Sequence, residues 1–180
     1  KLSERHFGIG SDGIILITPS DCADFKMRIF NADGSEAKMC GNGIRCVGKY
    51  LYDKGYVSSE NVTVETASGV KRLSLYTRNG KVSSVAVDMG KVSLKASDIP
   101  VNLGEDRVVD IPAKIGENEY KVTCVSVGNP HCVIFTDRVD NAPVEQVGKV
   151  FEHSDLFPEG VNTEFIRVVN KSTIKMRVWE

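Results

Sequence analysis

Short apolar runs that alternate with polar residues dominate the chain, and Gly, Asn, Asp and Pro bound nearly all of them. Alternation with a period of two marks a half-buried strand. It predicts strands over 14–18, 25–31, 61–66, 70–77, 81–88, 107–111, 119–127, 132–136, 163–169 and 173–179. Asn79-Gly80 separates two of them, a strong hairpin signal because a type I′ turn needs positive φ at both central residues. Only two segments keep helical spacing. Residues 42–53 put Ile44, Val47 and Leu51 on one face and stop before Gly55, where a left-handed cap costs little. Residues 142–153 follow Asp140-Asn141 and space Val144, Val147, Val150 and Phe151 in the same way. Many strands with few helices predict an α+β fold and not a doubly wound sheet. Gly8-x-Gly10-x-x-Gly13 has the glycine spacing of a dinucleotide fingerprint, but that fingerprint opens a helix and Ile14 opens a strand. No nucleotide site is expected there.

The chain also repeats itself. Lys26-Met27-Arg28-Ile29-Phe30-Asn31 matches Lys175-Met176-Arg177-Val178-Trp179-Glu180, and each copy follows a strand-like run that itself follows a glycine, Gly13 or Gly160. Two related halves are expected, 1–88 and 89–180, although short strand hairpins also resemble one another by pattern alone. The alignment puts Glu180 in the position of Asn31. Cys40 lies nine residues beyond Asn31, so its counterpart would lie nine residues beyond Glu180.

Composition narrows the partner. With 23 basic and 24 acidic side chains, a net charge of −1 and 41% hydrophobic residues, the chain has the profile of a soluble globular protein. It lacks the basic excess that would bind nucleic acid or anionic lipid by neutralising many phosphates. Apolar runs such as 14–17 and 132–135 fall far short of the roughly 20 residues that cross a bilayer, and no basic, apolar leader opens the sequence. A cytoplasmic protein with a small-molecule partner, and neither a nucleic acid nor a membrane, is the expectation. Five cysteines without a C-x-x-C or a disulfide rhythm read as reduced thiols. Cys40 and Cys46 would stand about 120° apart on a helix, so no metal site is expected. Cys22, Cys46, Cys124 and Cys132 read as core residues, and His6 and His153 as solvent-facing.

Met39-Cys40-Gly41-Asn42-Gly43-Ile44-Arg45-Cys46 is the most informative stretch. It sets Cys40 at the mouth of a helix, after the acidic turn Asn31-Ala32-Asp33-Gly34-Ser35 and before glycines that let a ligand approach the backbone. A helix start offers unpaired N–H groups and partial positive charge, which favour a substrate carboxylate and a thiolate alike. Cys40 is therefore a candidate for acid–base chemistry, while an isolated Cys-Gly-x-Gly also reads as a small buried residue before a tight turn. In Gly128-Asn129-Pro130-His131 the amide of Asn129 suits a carboxylate or an ammonium, and His131 suits the tuning of a thiol. A turn asparagine and a strand-edge histidine fit the same four residues. Asn162, in Gly160-Val161-Asn162-Thr163, likewise reads either as a ligand or as a turn residue before a strand.

The motifs, taken together and in order, resemble the diaminopimelate epimerases, pyridoxal-independent enzymes that interconvert LL- and meso-2,6-diaminopimelate. The resemblance runs over essentially the whole chain. It is carried by Gly8-Ile9-Gly10-Ser11-Asp12-Gly13, Phe30-Asn31-Ala32-Asp33-Gly34-Ser35, Met39-Cys40-Gly41-Asn42-Gly43-Ile44-Arg45, Gly128-Asn129-Pro130-His131, Asn162-Thr163-Glu164 and Trp179-Glu180. It implies two pseudo-symmetric domains, each a curled, mostly antiparallel sheet around a central helix, with the substrate in the cleft between them. It also implies a homodimer working without a cofactor in lysine and cell-wall precursor synthesis. Cys40 matches the first of two catalytic cysteines. Asn31, Gly41, Asn42, Asn129, Asn162 and Glu180 match substrate-holding positions, and His131 and Glu180 match positions that adjust the protonation of the thiol pair. The family's second cysteine, in a Cys-Gly-Thr-Gly loop after an Arg-Gly-x-Gly-Glu-Thr run, has no counterpart in the 180 residues. Neither has a first strand carrying another asparagine. The second half is thus expected to lack its central helix, to expose Val168 and Ile174, and to leave the chain unable to epimerise alone. A proline or hydroxyproline racemase-like enzyme and a non-catalytic ligand-binding relative are the alternatives. The amides of Asn31, Asn129 and Asn162 favour the longer, two-headed substrate.

Overall fold

The computed structural model describes residues 1–180, which form two compact units, Lys1–Gly90 and Lys91–Glu180. Each has its own sheet, helix and core, and the class is the expected α+β.

In the first unit β1 (Gly13–Thr18) and β2 (Phe25–Asn31) make an antiparallel hairpin that sets Ile17 opposite Met27. A two-residue strand, β3 (Glu36–Ala37), follows against β2, too short to show in the hydrophobic pattern. Then come α1 (Gly41–Asp53), β4 (Asn61–Thr66), β5 (Gly69–Arg78) and β6 (Lys81–Asp88). The main order is β1-β2-β4-β5-β6, and only β2 and β4 run parallel. A parallel junction needs a crossover, which α1 provides. Alternate residues of the strands, among them Met27, Val62, Val64, Leu73 and Leu75, are buried with Ile44, Val47 and Leu51 of α1. Gly48 lets the helix come close, since a Cβ there would lie 2.7 Å from Leu73 Cδ2. The helix ends in a Schellman pattern: Tyr56 N–H donates to the Leu51 carbonyl and Gly55 N–H to that of Tyr52, both at 2.9 Å, with Gly55 at φ 77°. Asn79 and Gly80 turn the β5–β6 hairpin at φ 54° and 73°, as a type I′ turn requires.

The β2–β4 junction is also held by a carboxylate. Asp24 accepts from Thr63 N–H and Thr63 Oγ1–H, each at 2.7 Å, and this side-chain bond above all holds its pKa below the usual 3.8. A depressed folded pKa adds stability that is present above the unfolded value and lost as pH falls through the folded one. The melting-temperature gap between the wild type and Asp24→Asn is therefore expected to be full at pH 7 and to close as pH falls below about 4.

The second unit contains β7 (Ile111–Ile115), β8 (Asn118–Ser126), β9 (Pro130–Phe135), α2 (Val144–Glu152), β10 (Asn162–Asn170) and β11 (Thr173–Trp179). Its order is β11-β10-β9-β8-β7, with β9 and β10 parallel across the α2 crossover. Val122, Cys124, Cys132, Ile134 and Phe165 form one buried cluster with Phe151 and Phe157. Gly148 of α2 lies so close to Trp179 that a Cβ would meet Trp179 Cβ at 2.3 Å. Gly148→Ala is expected to push α2 off β11 and to cost about 1–3 kcal/mol. Urea unfolding followed by the fluorescence of the lone tryptophan checks this, because Trp179 Nε1–H donates to Glu152 Oε2 at 2.8 Å and that bond moves with the helix.

Several expectations are corrected. The strand expected at 107–111 lies at Ile111–Ile115, because Asp110 takes φ 54° and breaks the extended run. Val108 still lies beside β8, its carbonyl accepting from Cys124 N–H. Pro112 is tolerated because β7 is an edge strand. The second helix begins only at Val144, after Pro143, and Val150 on it is exposed. Cys46 and Cys22 are exposed and not core: Cys46 lies two residues past Ile44, about 200° around the helix, and Cys22 sits in the loop after β1. No helix of the protein is long and apolar enough to cross a membrane.

The sequence repeat is also a structural one. In β1–β2 Arg28 stands opposite Leu16, and in β10–β11 Arg177 stands opposite Phe165 in an equivalent antiparallel hairpin. Phe25, Met27 and Ile29 thus correspond to Ile174, Met176 and Val178. Met27 and Ile29 are buried under α1, whereas Ile174, Met176 and Val178 are 57%, 51% and 36% exposed. The neighbours differ too: β1 is an edge strand while its counterpart β10 pairs with β9, and β11 is an edge strand while its counterpart β2 pairs with β4.

Candidate functional site

Cys40 is the N-cap of α1, in extended conformation at φ −139°, and its Sγ accepts the Gly43 N–H at 3.2 Å. The side chain is partly exposed. No acidic residue occupies the first turn of α1, so nothing there offsets the partial positive charge of the helix start. The first N–H groups of a helix have no partner within it, and at Gly41 and Asn42 they offer donors to an anion beside the thiol. Asn42 Oδ1 is held by Arg45 Nη2 at 2.5 Å. Gly43 is where the helix mouth touches β1: a Cβ there would lie 2.8 Å from Ile15 Cδ1.

Asn31 closes β2 opposite Gly13, and its Nδ2 donates to Ser35 Oγ at 3.0 Å. The turn that follows is built by Asp33, which accepts from Ser35 O–H at 2.7 Å and Ser35 N–H at 2.9 Å, bonds that lower its pKa. This turn and β3 lead the chain from Asn31 to Cys40.

The second unit gathers its candidates on one end of one sheet face. His131 of β9 stands beside Asn162 of β10 in the parallel register, and Glu164 follows Asn162 on the same face. Thr163 pairs with Trp179, so Asn162 and Glu180 come next at that end of the β10–β11 hairpin. His131 is the hub: its Nδ1 lies 2.6 Å from Glu164 Oε1 and its Nε2 lies 3.0 Å from Asn129 Oδ1. Glu164 is buried, with 8% of its side chain exposed, and its Oε2 has no partner. Sequence reasoning missed Glu164 as a site residue. The signal was present, since a carboxylate two residues after Asn162 on a strand shares its face, between the otherwise buried Thr163 and Phe165.

Two cavities lie elsewhere. One, of about 560 Å³, is apolar and runs along α1 between Ile15, Ile17, Phe25, Cys46, Tyr50 and Tyr56. The other, of about 500 Å³, lies by Lys149 and His153 in the second unit. Neither is lined by Cys40, His131 or the candidate amides. His6 and His153 are exposed, as expected.

Comparison with known proteins gives one consistent family. The family profile for diaminopimelate epimerase matches residues 1–95 and 123–180. A diaminopimelate epimerase of Acetivibrio thermocellus is 53% identical over 180 residues, which is 100% of this chain and 64% of that protein. One from Methanococcus maripaludis is 52% identical over 179 residues, covering 99% of this chain and 65% of that protein. The chain thus spans just under two thirds of the length of these relatives. Among solved structures, a probable proline racemase from Agrobacterium radiobacter superposes with a TM-score of 0.70 at 18% identity, over 92% of this chain and 53% of that one. A hydroxyproline epimerase from Agrobacterium vitis gives 0.68 at 16%, over 92% and 52%. At such identities these two report a shared fold.

Proposed function

The chain belongs to the diaminopimelate epimerase family, and from that premise we propose that it is the larger part of an enzyme that inverts one α-carbon of LL-2,6-diaminopimelate to give the meso form. The observation that carries the reading is Cys40 at the N-cap of α1, partly exposed, with Sγ already accepting a helix N–H. Such a site can hold a thiolate and a substrate carboxylate with the same set of donors.

The reaction asks for little else. Cys40, as thiolate, takes the α-hydrogen as a proton on Sγ, and the C–H electron pair moves into the adjoining α-carboxylate, whose added charge the N–H groups of Gly41 and Asn42 stabilise. A thiol on the opposite face returns a proton to the α-carbon, and the configuration inverts. By the repeat, that thiol stands nine residues beyond Glu180, as Cys40 stands nine beyond Asn31. A helix like α1, opening at this second thiol, would cover Ile174, Met176 and Val178 in the whole protein as α1 covers Met27 and Ile29. Asn31, Asn129, Asn162 and Glu180 hold the ends of the substrate. The amides of Asn31, Asn129 and Asn162 pair with carboxylate and ammonium groups without imposing a fixed charge, which suits a substrate carrying two of each. His131 and Glu180 adjust the protonation of the thiol pair. The same reading makes the whole protein a cytoplasmic homodimer that uses no cofactor.

The test is proton exchange at carbon. The whole protein, incubated with LL-2,6-diaminopimelate in deuterated water, is expected to yield meso product deuterated at the inverted α-carbon, while residues 1–180 alone give none. Exchange on proline but not on diaminopimelate would replace the substrate assignment. Turnover by residues 1–180 alone would remove the need for a second thiol.

A further inference from the structure

Cys124 and Cys132 play no part in the chemistry above, yet they are the two sulfurs the fold brings together. They stand directly opposite each other in the antiparallel β8–β9 pair. The N–H of Cys124 donates to Val108 O at 2.9 Å, on the side of β8 away from β9. Cys124 and Cys132 are therefore a non-hydrogen-bonded pair, the closer of the two kinds, with Cα atoms about 4.5 Å apart. Disulfides span Cα separations of about 4.4–6.8 Å. Both residues are free thiols with no exposed surface. The Cys124 thiol opposite it, together with burial, pushes the Cys132 thiol well above its usual range. The segment they bracket is the turn that carries Asn129 and, next to Cys132, His131.

We propose that Cys124 and Cys132 are a reversible disulfide site that staples the base of the β8–β9 turn when an oxidant of the peroxide class reaches it. One thiolate attacks a peroxide oxygen, the O–O bond breaks, and a sulfenic acid and water result. The second sulfur then attacks the first, the S–O bond breaks, and a second water leaves. Two thiols and one hydrogen peroxide thus become one disulfide and two waters. Burial shields both sulfurs from oxidant, so the turn must open before oxidant enters. Once the turn opens again, an external thiolate can attack the disulfide and release both thiols, so the staple is reversible. The proposal is independent of the epimerase reading.

No Lys or Arg lies between Lys121 and Arg138, so a single tryptic peptide, 122–138, holds both thiols and none of the other three. The protein is treated with hydrogen peroxide in water and in sub-denaturing urea, which opens the turn, then alkylated after full denaturation without reductant and digested. The expected product is peptide 122–138 about 2 Da lighter than its dithiol form and lacking both alkyl groups, with both thiols regained after dithiothreitol. The urea arm is expected to reach this product faster. Full alkylation of the peptide in both arms, oxygen added to a single sulfur, or linkage of either thiol to Cys22, Cys40 or Cys46 would overturn the assignment. The readout uses the wild-type chain and so does not depend on a buried cysteine variant folding.

Discussion

Cys40→Ala in the whole protein is expected to lower deuterium incorporation at the α-carbon of diaminopimelate by roughly a thousandfold or more, the loss that follows when a proton-transfer group is removed from a site with no substitute. No other side chain at the mouth of α1 can replace it. Gly41 and Gly43 have no side chain, and Asn42 Oδ1 is tied to Arg45. The helix should survive, because a cap bond to one N–H is worth about 1 kcal/mol. Ile44, Val47 and Leu51 would still be buried against the sheet. Far-ultraviolet circular dichroism and the urea midpoint of Cys40→Ala are thus expected to stay near wild type while exchange vanishes. Cys40→Ser separates shape from acidity. It keeps the cap acceptor but puts a hydroxyl, a far weaker acid, where the thiol stood, and its exchange should fall with that of the alanine variant. Wild-type exchange by Cys40→Ala would end the mechanism proposed above.

Phe151→Ala is expected to cost the second unit about 3–5 kcal/mol, the range for truncating a fully buried aromatic. The ring has no exposed surface, and it meets Tyr120 edge-on at a centroid distance of 5.5 Å and Phe157 at 6.1 Å. Aromatic pairs of this kind add about 0.5–1.5 kcal/mol beyond area burial, so the low end of the range would be surprising. Against a total domain stability of about 5–15 kcal/mol, such a loss brings the unit close to unfolding. Trp179, the only tryptophan, lies in this unit and packs on the same helix, so its fluorescence follows the transition. Phe151→Leu, which keeps most of the volume, should recover more than half of the loss. The α1 core contains none of these residues, and its amide exchange is expected to stay unchanged.

The two variants illustrate how much of the protein its residue pattern discloses. Helix α1 was legible end to end: an apolar stripe, a small-residue mouth and Gly55 beyond its last turn are local features, and local features are sufficient where a helix covers a sheet. The strands were legible for the same reason, apart from β3, which is too short for a period, and the 107–111 run. There Asp110 adopts a left-handed conformation that apolar spacing cannot reveal. Cys22 and Cys46 were misplaced because cysteine has no hydropathy strong enough to fix its face; only the turn of the helix did so for Cys46.

At the site the division is sharper. The order of motifs identified Cys40, Asn129, His131 and Asn162 as candidates, since each sits at a strand end or a helix mouth that turn residues mark. Glu164 did not stand out, because its role depends on a parallel pairing between β9 and β10 that brings together residues 33 positions apart. The Cys124–Cys132 pair depends in the same way on the register of β8 against β9.

The chain's own pattern was therefore enough to determine the α+β class, most element boundaries, the internal repeat and the thiol at the start of α1, because periodicity, turn chemistry and caps act over a few residues. Tertiary structure alone decided which carboxylate reaches His131, which two thiols stand opposite each other, and which copy of the repeated hairpin is covered. Those depend on strand order and register, set by the burial of whole faces and not by any short stretch of sequence.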